Sequence, residues 1–184
     1  MINPVYYGQE NGVRFTRRNA PVHSDTFACK PIGGFVASYL VQSRVSVDPF
    51  ARDCRWATHT NDIDPTTQAE HHMDARRFLR MMCLKGVRAD LVILDPPYSS
   101  RQISDCYNRL GMKAKMHDTQ NSRLYKEIKD LVWHLCTEDA TVLSFGWNSV
   151  GMGISRGFEV VEVLMVCHGS AHNDTLCIAE RRRG

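Results

Sequence analysis

The sequence predicts an α/β fold built on a mostly parallel sheet with helices on both faces. Short β-rich runs alternate with helical patterns along most of the chain, which is typical of parallel strands joined by crossover helices. The last two β-rich runs, 160–166 and 176–180, are separated by only about nine residues. Because a parallel connection needs a dozen residues or more, these two runs predict an antiparallel hairpin.

The chain has 184 residues, of which 43% are hydrophobic and 23% are charged. This length accommodates one domain of ordinary size, and the composition excludes intrinsic disorder, collagen and coiled coil as descriptions of the whole. Glycines and prolines interrupt residues 1–24, which we expect to form an irregular N-terminal segment. Residues 25–184 are expected to form a single domain, with no separate target-recognition domain.

Three segments have helical patterns. Pro31 marks the first turn of a short helix over 31–41. Asp74 is a candidate N-cap for a second helix, which Gly86 ends. A third helix is predicted over 124–135, where apolar residues recur at helical spacing. Five further β-rich runs bring the predicted strands to seven: 44–47, 57–61, 71–73, 91–94 and 141–145.

Charge and cysteine usage bound the class of protein. The formal net charge of +3 permits a polyanionic partner without requiring one. The seven cysteines show no C-x-x-C spacing, which is typical of reduced intracellular thiols. No apolar run approaches the roughly 18 residues of a membrane span, and the N-terminus has no secretory-signal pattern. We therefore expect a cytoplasmic protein that does not associate with membranes.

Four successive β-rich runs are each followed by an aspartate. The carboxyl ends of parallel strands meet at one edge of a sheet, where ligands of α/β proteins bind. We call this edge the carboxyl rim and interpret its row of acids as a candidate ligand site. The four residues are Asp48, Asp62, Asp74 and Asp95.

The most specific motif is Asp95-Pro96-Pro97-Tyr98, directly after the apolar run 91–94. It resembles the D/N/S-P-P-Y/F/W signature of the amino-methyltransferases, which use S-adenosylmethionine and act on exocyclic amines of nucleobases. The resemblance implies a Rossmann-like class I methyltransferase fold, with a seven-stranded, mostly parallel sheet in the order 3-2-1-4-5-7-6 and an antiparallel last hairpin. The alternative interpretation of D-P-P is a plain turn that ends a strand.

The chemistry of an exocyclic amine explains why these residue types suit the reaction. The N6 amine of adenine is a poor nucleophile because its lone pair is delocalised into the ring. Asp95 and the carbonyl of Pro96 can accept hydrogen bonds from the two amine hydrogens and so aim the lone pair at the methyl group. Pro96 and Pro97 fix the backbone, which holds the acceptors ready. Tyr98 offers a ring on which a flipped base can stack.

The same resemblance implies a set of cofactor contacts. Asp48-Pro49-Phe50-Ala51 resembles the D-P-F-x-G cofactor loop, with Ala51 in place of the usual glycine, and the residues after it depart from a glycine-rich loop. Asp62 resembles the acid that accepts from both ribose hydroxyls, and Asp74 the one that accepts from the adenine amine. Lys30-Pro31, at the start of the first helix, matches the family's additional cofactor motif. Each of these also fits a cap, a turn or a plain helix start.

Three segments, 95–102, 145–149 and 168–175, resemble small phage-encoded adenine-specific DNA methyltransferases. Their loops are expected to contact the substrate, although Trp147 packed into the core is an equal alternative. His168, His172 and Asp174 could suggest a metal site, but methyl transfer needs no metal and Asn-Asp favours a turn, so we predict none. The predicted substrate contacts are Ser99, Arg101, Gln102, Trp147, Asn148, His172 and Asn173.

The sequence therefore predicts transfer of a methyl group from S-adenosylmethionine to the N6 amine of adenine in DNA. Two alternative substrates stay open, the N4 amine of cytosine and adenine in RNA. A third alternative is a non-catalytic methyltransferase-fold protein that binds nucleic acid or another partner. The altered cofactor loop favours this third alternative, and the intact motif 95–98 disfavours it. DNA is the expected partner, and the protein is expected to be a monomer or a homodimer, in the host cytoplasm if it is phage-encoded.

Overall fold

The structure is a computed structural model, and it describes residues 5–10, 12–97, 121–149, 151–170 and 172–184. These residues form one nine-stranded sheet and three α-helices. The strands are β1 (Val5–Glu10), β2 (Val13–Asn19), β3 (Ser46–Asp48), β4 (His59–Asp62), β5 (His71–His72), β6 (Ala89–Leu94), β7 (Cys136–Gly146), β8 (Phe158–Cys167) and β9 (Thr175–Arg182). The helices are α1 (Lys30–Leu40), α2 (Ala75–Leu84) and α3 (Asn121–Leu135).

The strand order is β1-β2-β8-β9-β7-β6-β3-β4-β5. Strands β3 to β7 pair in parallel, whereas β9 runs antiparallel to both β7 and β8. The seven predicted strands correspond to β3 to β9 in chain order, so their arrangement is 3-2-1-4-5-7-6. The predicted mostly parallel sheet and its last antiparallel hairpin are confirmed.

The expectation that residues 1–24 are irregular is wrong for most of that segment. β1 and β2 form an antiparallel hairpin, and β2 then pairs in parallel with β8, from Arg14 beside Glu162 to Asn19 beside Cys167. The glycines that suggested irregularity are features of the hairpin itself. Gly8 lies within the register shift between β1 and β2, and Gly12 takes a φ of 80° at the turn.

The core has two layers because alternate side chains of each strand face opposite sides of the sheet. On one side, Leu91 and Ile93 of β6 pack in a cluster with Val36 of α1. On the other side, Val92 of β6 packs in a cluster with Phe78 of α2 and the C-terminal half of α3. The parallel strands are thereby held between helices, and their carboxyl ends lie together at the carboxyl rim.

Helix α2 begins and ends as its sequence predicts. The Asp74 carboxylate accepts hydrogen bonds from the backbone N–H groups of Arg76 at 3.0 Å and Arg77 at 3.4 Å, which caps the helix. Gly86 follows the helix with a φ of 73°, a conformation that favours glycine. Among the helices in the described ranges, none has the length and apolar character needed to cross a membrane.

Candidate functional site

Three of the predicted acids meet at the carboxyl rim. Asp48, Asp62 and Asp95 stand at or directly after the carboxyl ends of β3, β4 and β6, which are adjacent in the sheet. The pKa of the Asp48 carboxyl is raised well above its usual range, chiefly because the group is buried. The negative charges of Asp95 and Asp62 raise that pKa further. The structure thus brings the carboxyls of Asp62 and Asp95 close enough to Asp48 for their charges to raise its pKa.

The loop after β3 wraps around the Asp48 side chain. Asp48 is only 2% exposed, and its Oδ1 accepts a hydrogen bond from the backbone N–H of Phe50 at 2.9 Å. Pro49 is buried between them, and Ala51 is 3% exposed. The N–H of Ala51 donates to the carbonyl of Asn61 at 2.8 Å, which ties this loop to β4. A small residue at position 51 therefore keeps the floor of the loop close to the sheet.

The Asp62 carboxylate organises the next part of the rim. Its Oδ1 accepts from the N–H of Asp64 at 2.8 Å, and its Oδ2 accepts from the N–H of Arg52 at 3.1 Å. Burial raises the pKa of the Asp62 carboxyl, and these two hydrogen bonds partly oppose that rise. Each carboxylate oxygen can accept more than one hydrogen bond, so both retain capacity for a ligand hydroxyl.

Arg52 shows how the altered loop is accommodated. Its φ of 50° lies in the left-handed region that favours glycine. This backbone conformation accompanies the N–H bond to Asp62. The guanidinium donates to the carbonyl of Ser24 at 2.8 Å and pairs with Asp25 at 3.0 Å. An arginine at this point therefore links the loop to the segment that precedes α1.

Asp74 differs from the other three acids. Besides capping α2, its carboxylate forms a two-pronged ion pair with the side chain of Arg76, at 3.0 Å from Nε and 2.9 Å from Nη2. Burial alone would raise the pKa of Asp74, but the contacts with Arg76 and Arg77 hold it below its usual range. Its role toward a cofactor adenine stays a prediction.

Asn61 is a site residue that the sequence analysis missed. Its side chain is fully buried and donates to the carbonyls of Pro49 at 3.1 Å and Met73 at 2.9 Å. Its Oδ1 accepts from the N–H of Met73 at 3.1 Å. One amide therefore joins the loop after β3 to the end of β5. The only sequence signal is a polar residue beside Asp62 in a predicted buried strand.

The predicted catalytic motif follows β6. Asp95, Pro96 and Pro97 are half-buried at the carboxyl end of that strand. The hydroxyl of Tyr125 in α3 donates a hydrogen bond to the carbonyl of Pro97, and burial raises the pKa of this tyrosine to about 12. This contact joins α3 to the motif, and no pattern in the sequence indicates it. Four predicted site residues lie outside the described residues: Tyr98, Ser99, Arg101 and Gln102.

The other predicted substrate contacts lie in two loops at the same rim. Trp147 and Asn148 follow β7, and Trp147 is 47% exposed, so it is not packed into the core. His172 and Asn173 are exposed in the loop between β8 and β9. Lys30 is exposed at the start of α1, where Pro31 occupies the first turn as predicted. Contacts of these residues with a ligand stay predictions.

The loop that carries Trp147 is anchored by a buried acid, Glu180 of β9. Its carboxylate is 2% exposed and accepts from the N–H groups of Met152 at 2.5 Å and Gly153 at 2.8 Å. At the other loop, the His168 ring lies 2.9 Å from the carbonyl of Ala20 through Nδ1. Within the described ranges, no group of three or more His, Cys, Asp or Glu side chains is arranged to hold a metal ion.

This architecture is shared with solved methyltransferase structures. SMU.776, a proposed methyltransferase complexed with SAH, matches 80% of the chain at 11% identity with a TM-score of 0.55. NSun6 from Pyrococcus horikoshii with SFG matches 81% at 11% identity with a TM-score of 0.52. A proposed SAM-dependent methyltransferase from Streptococcus mutans matches 98% at 11% identity with a TM-score of 0.50.

The chain spans about half the length of these solved proteins, covering 48%, 51% and 56% of them respectively. No protein-family model matches the chain, and no curated protein matches its sequence. At 11% identity the likeness is one of fold. Together with the strand order, it shows that the chain has a Rossmann-like methyltransferase fold.

Proposed function

We propose that this protein transfers a methyl group from S-adenosylmethionine to the N6 amine of adenine in DNA. The observation that carries the proposal is the group formed by Asp48, Asp62 and Asp95 at adjacent strand ends of a methyltransferase fold, with Pro96-Pro97 directly after the last of them. Fold alone does not specify a reaction, and these residues are what favour this one.

The acids at β3 and β4 fit the chemistry of the cofactor. Asp62 retains acceptor capacity for the ribose hydroxyls. SMU.776 was solved with SAH, the molecule that remains once S-adenosylmethionine has lost its methyl group. When bound, the cofactor would supply an electrophilic methyl group on a sulfonium.

The motif after β6 would position the base. Asp95 and the Pro96 carbonyl would accept the two hydrogens of the amine, which turns the nitrogen lone pair toward the methyl group. Held by Asp95 and Pro96, the nitrogen would be placed to accept the methyl group that the cofactor would supply, and the proton lost from the nitrogen would pass to water. Two prolines and the bond from Tyr125 to Pro97 hold the acceptors in place before the base arrives.

The decisive variant is Asp95→Ala. It should lower methylation of adenine-containing DNA by at least about 100-fold, the usual contribution of a positioned polar group in a reaction of this kind. Cofactor affinity, measured by calorimetric titration, should stay nearly unchanged. The matched control is Asp139→Ala, an exposed aspartate near the opposite end of β7. Full methylation by the Asp95 variant would overturn the assignment of this residue.

The identity of the methylated base has its own measurement. DNA and RNA from cells that express the protein are digested to nucleosides and resolved by mass spectrometry. N6-methyladenine in DNA is the expected product. N4-methylcytosine, or methylated adenine in RNA alone, would replace the proposed substrate while leaving the reaction class in place.

One observation favours a non-catalytic alternative. Arg52 occupies a left-handed position in the cofactor loop, and its N–H already bonds to Asp62. A protein of this fold that had lost cofactor binding would show such a departure. Calorimetric titration of the wild-type protein with S-adenosylmethionine distinguishes the two, and no binding at millimolar cofactor would favour the non-catalytic alternative.

A further inference from the structure

Charge is distributed unevenly along the carboxyl rim. Asp48, Asp62 and Asp95 lie at the carboxyl ends of β3, β4 and β6. At the other end of the rim, β2 contributes Arg17 and Arg18 immediately before its last residue. The exposed loops that follow β7 and β8 lie between these two regions.

The register of β2 places the two arginines beside the substrate loops. Parallel pairing sets Arg17 beside Met165 and Arg18 beside Val166, one residue before β8 ends at Cys167. Beyond the strand, the N–H of Ala20 donates to the carbonyl of Cys167 at 3.1 Å. The end of β2 is therefore joined to the start of the loop that carries His172.

Neither guanidinium is neutralised by a carboxylate in the described part of the chain. Arg17 donates through Nε to the Cys167 sulfur at 3.1 Å, and Arg18 donates to the backbone carbonyl of Arg17 at 3.5 Å. Arg14, by contrast, pairs with Glu162 at 3.3 Å. Because adjacent residues of a strand point to opposite faces, Arg17 and Arg18 place positive charge on both faces of the sheet at the rim.

The distance between the two arginines and Asp95 suits a nucleic-acid strand and is too long for a single nucleotide. Four strand-to-strand steps separate β2 from β6 in the sheet, which is about 19 Å at about 4.8 Å per step. Along duplex DNA this span corresponds to about six base pairs at 3.4 Å each. A free nucleotide held at Asp95 could not reach β2, but the flanking strand of a longer DNA could.

We propose that Arg17 and Arg18 form a phosphate-binding surface for the DNA strand that flanks the base held at Asp95. This inference rests on the proposed function for the location of the base, and it assigns a role to a hairpin outside the seven predicted strands. No carboxylate among the described side chains pairs with these two arginines, so their charge is available for phosphate contacts at this end of the rim.

The experiment measures salt-dependent affinity for a labelled 20-base-pair DNA by fluorescence anisotropy between 50 and 200 mM KCl. The double variant Arg17→Ala/Arg18→Ala should flatten the slope of log K against log salt by about 1.8, since each phosphate contact contributes about 0.9. The matched control Arg44→Ala/Lys85→Ala removes two exposed cations from the opposite edge of the sheet and should keep the wild-type slope. An unchanged slope in the first variant, or an equal change in the control, would overturn the proposal.

Two further measurements separate charge from folding and binding from catalysis. Arg17→Lys/Arg18→Lys also loses the Arg17 guanidinium contact with sulfur but keeps the charges, so it should retain the wild-type slope. If the double alanine variant flattens the salt slope but the wild-type protein methylates nothing, the proposed function alone is overturned. Normal methylation with a slope independent of the arginines would overturn this surface alone. A slope change with 20-nucleotide RNA and none with DNA would overturn DNA as its partner.

Discussion

Two aspartates of the rim show that the same residue type can act on stability in opposite directions. Burial, together with the charges of Asp95 and Asp62, raises the pKa of the Asp48 carboxyl, although the hydrogen bond from the Phe50 N–H opposes that rise. Asp74 is held by Arg76 and the start of α2, so the pKa of its carboxyl is lowered. A buried acid with a raised pKa is typical of functional sites, whereas a paired helix cap is an ordinary stabilising device.

The two carboxyls should therefore give opposite pH dependences of stability. Folded Asp48 holds its proton more tightly than the unfolded chain does, so its contribution falls as pH rises from about 3.9 to its folded pKa. Asp48→Asn should raise the free energy of unfolding at neutral pH, and this gain should vanish below about pH 3.9. Asp74→Asn should lower that free energy at neutral pH, and the loss should shrink as pH falls through the lowered pKa of Asp74.

Urea unfolding of both variants and the wild type, repeated from pH 3 to pH 8, measures these differences. The two variants serve as controls for each other because each replaces one carboxyl by an amide. Stabilisation by Asp48→Asn should be accompanied by weaker cofactor binding if Asp48 belongs to the site. Destabilisation by Asp48→Asn at neutral pH would contradict the burial argument.

The site acids could be predicted from the sequence because each follows a strand, and parallel strands end at one edge. Asn61 and Tyr125 could not be predicted in the same way. The partners of Asn61, Pro49 and Met73, are each 12 residues away in the chain, and Tyr125 reaches back 28 residues to Pro97. Such contacts depend on the three-dimensional packing of elements, which strand and helix patterns do not encode.

The loop after β7 depends on one glycine. A Cβ built on Gly151 would lie 1.8 Å from Glu180 Oε2, so any side chain there would displace the carboxylate that accepts from Met152 and Gly153. The buried Glu180 would then lose its hydrogen-bond donors. This close approach explains why a glycine precedes the anchoring N–H groups of the Trp147 loop.

Gly151→Ala should lower the free energy of unfolding by about 2–4 kcal/mol, because overpacking is combined with weakened hydrogen bonds to a buried carboxyl group. Gly34→Ala is the matched control, since a Cβ on this exposed residue of α1 meets nothing within 4 Å. Alanine favours a helix over glycine, so the control should gain about 0.5–1 kcal/mol. Guanidinium unfolding measures both, and a neutral Gly151→Ala would show that Glu180 does not anchor the loop.

The β1–β2 hairpin was missed because its alternation is unusual. Val13 and Phe15 alternate with Arg14, as in a strand with one apolar face, but Arg17-Arg18 breaks the pattern. None of the β2 side chains is fully buried, whereas five of the six residues of β6 are. Hydrophobic periodicity finds strands that are buried, and β2 is held mainly by its backbone pairing with β8.

The whole sheet accordingly combines a buried seven-stranded core with a hairpin added at one edge. The order of the core strands was expected because the motif 95–98 resembles that of the amino-methyltransferases, and the resemblance implies this order. The attachment of β2 in parallel to β8 was not, because it joins strands more than 140 residues apart in the chain. The attached hairpin extends the rim, so that acids lie at one end and Arg17 and Arg18 lie at the other.

Because β2 is less buried than β6, we expect the sheet not to unfold as one unit. Peptides from 13–19 should exchange their backbone amide hydrogens well before peptides from 89–94 and 136–146. The reason is that β2 buries little apolar surface. Segments of one protein open with free energies that range from near zero up to the free energy of global unfolding. Hydrogen exchange followed by mass spectrometry measures this order. Peptides from 158–167 are the internal control, since β8 also pairs with β9 and should stay protected after β2 opens. Adding DNA should slow exchange in 13–19, and S-adenosylmethionine should slow it in 46–52, if the two ends of the rim bind different molecules. Equal exchange in β2 and β6 would instead show that hairpin and core unfold together.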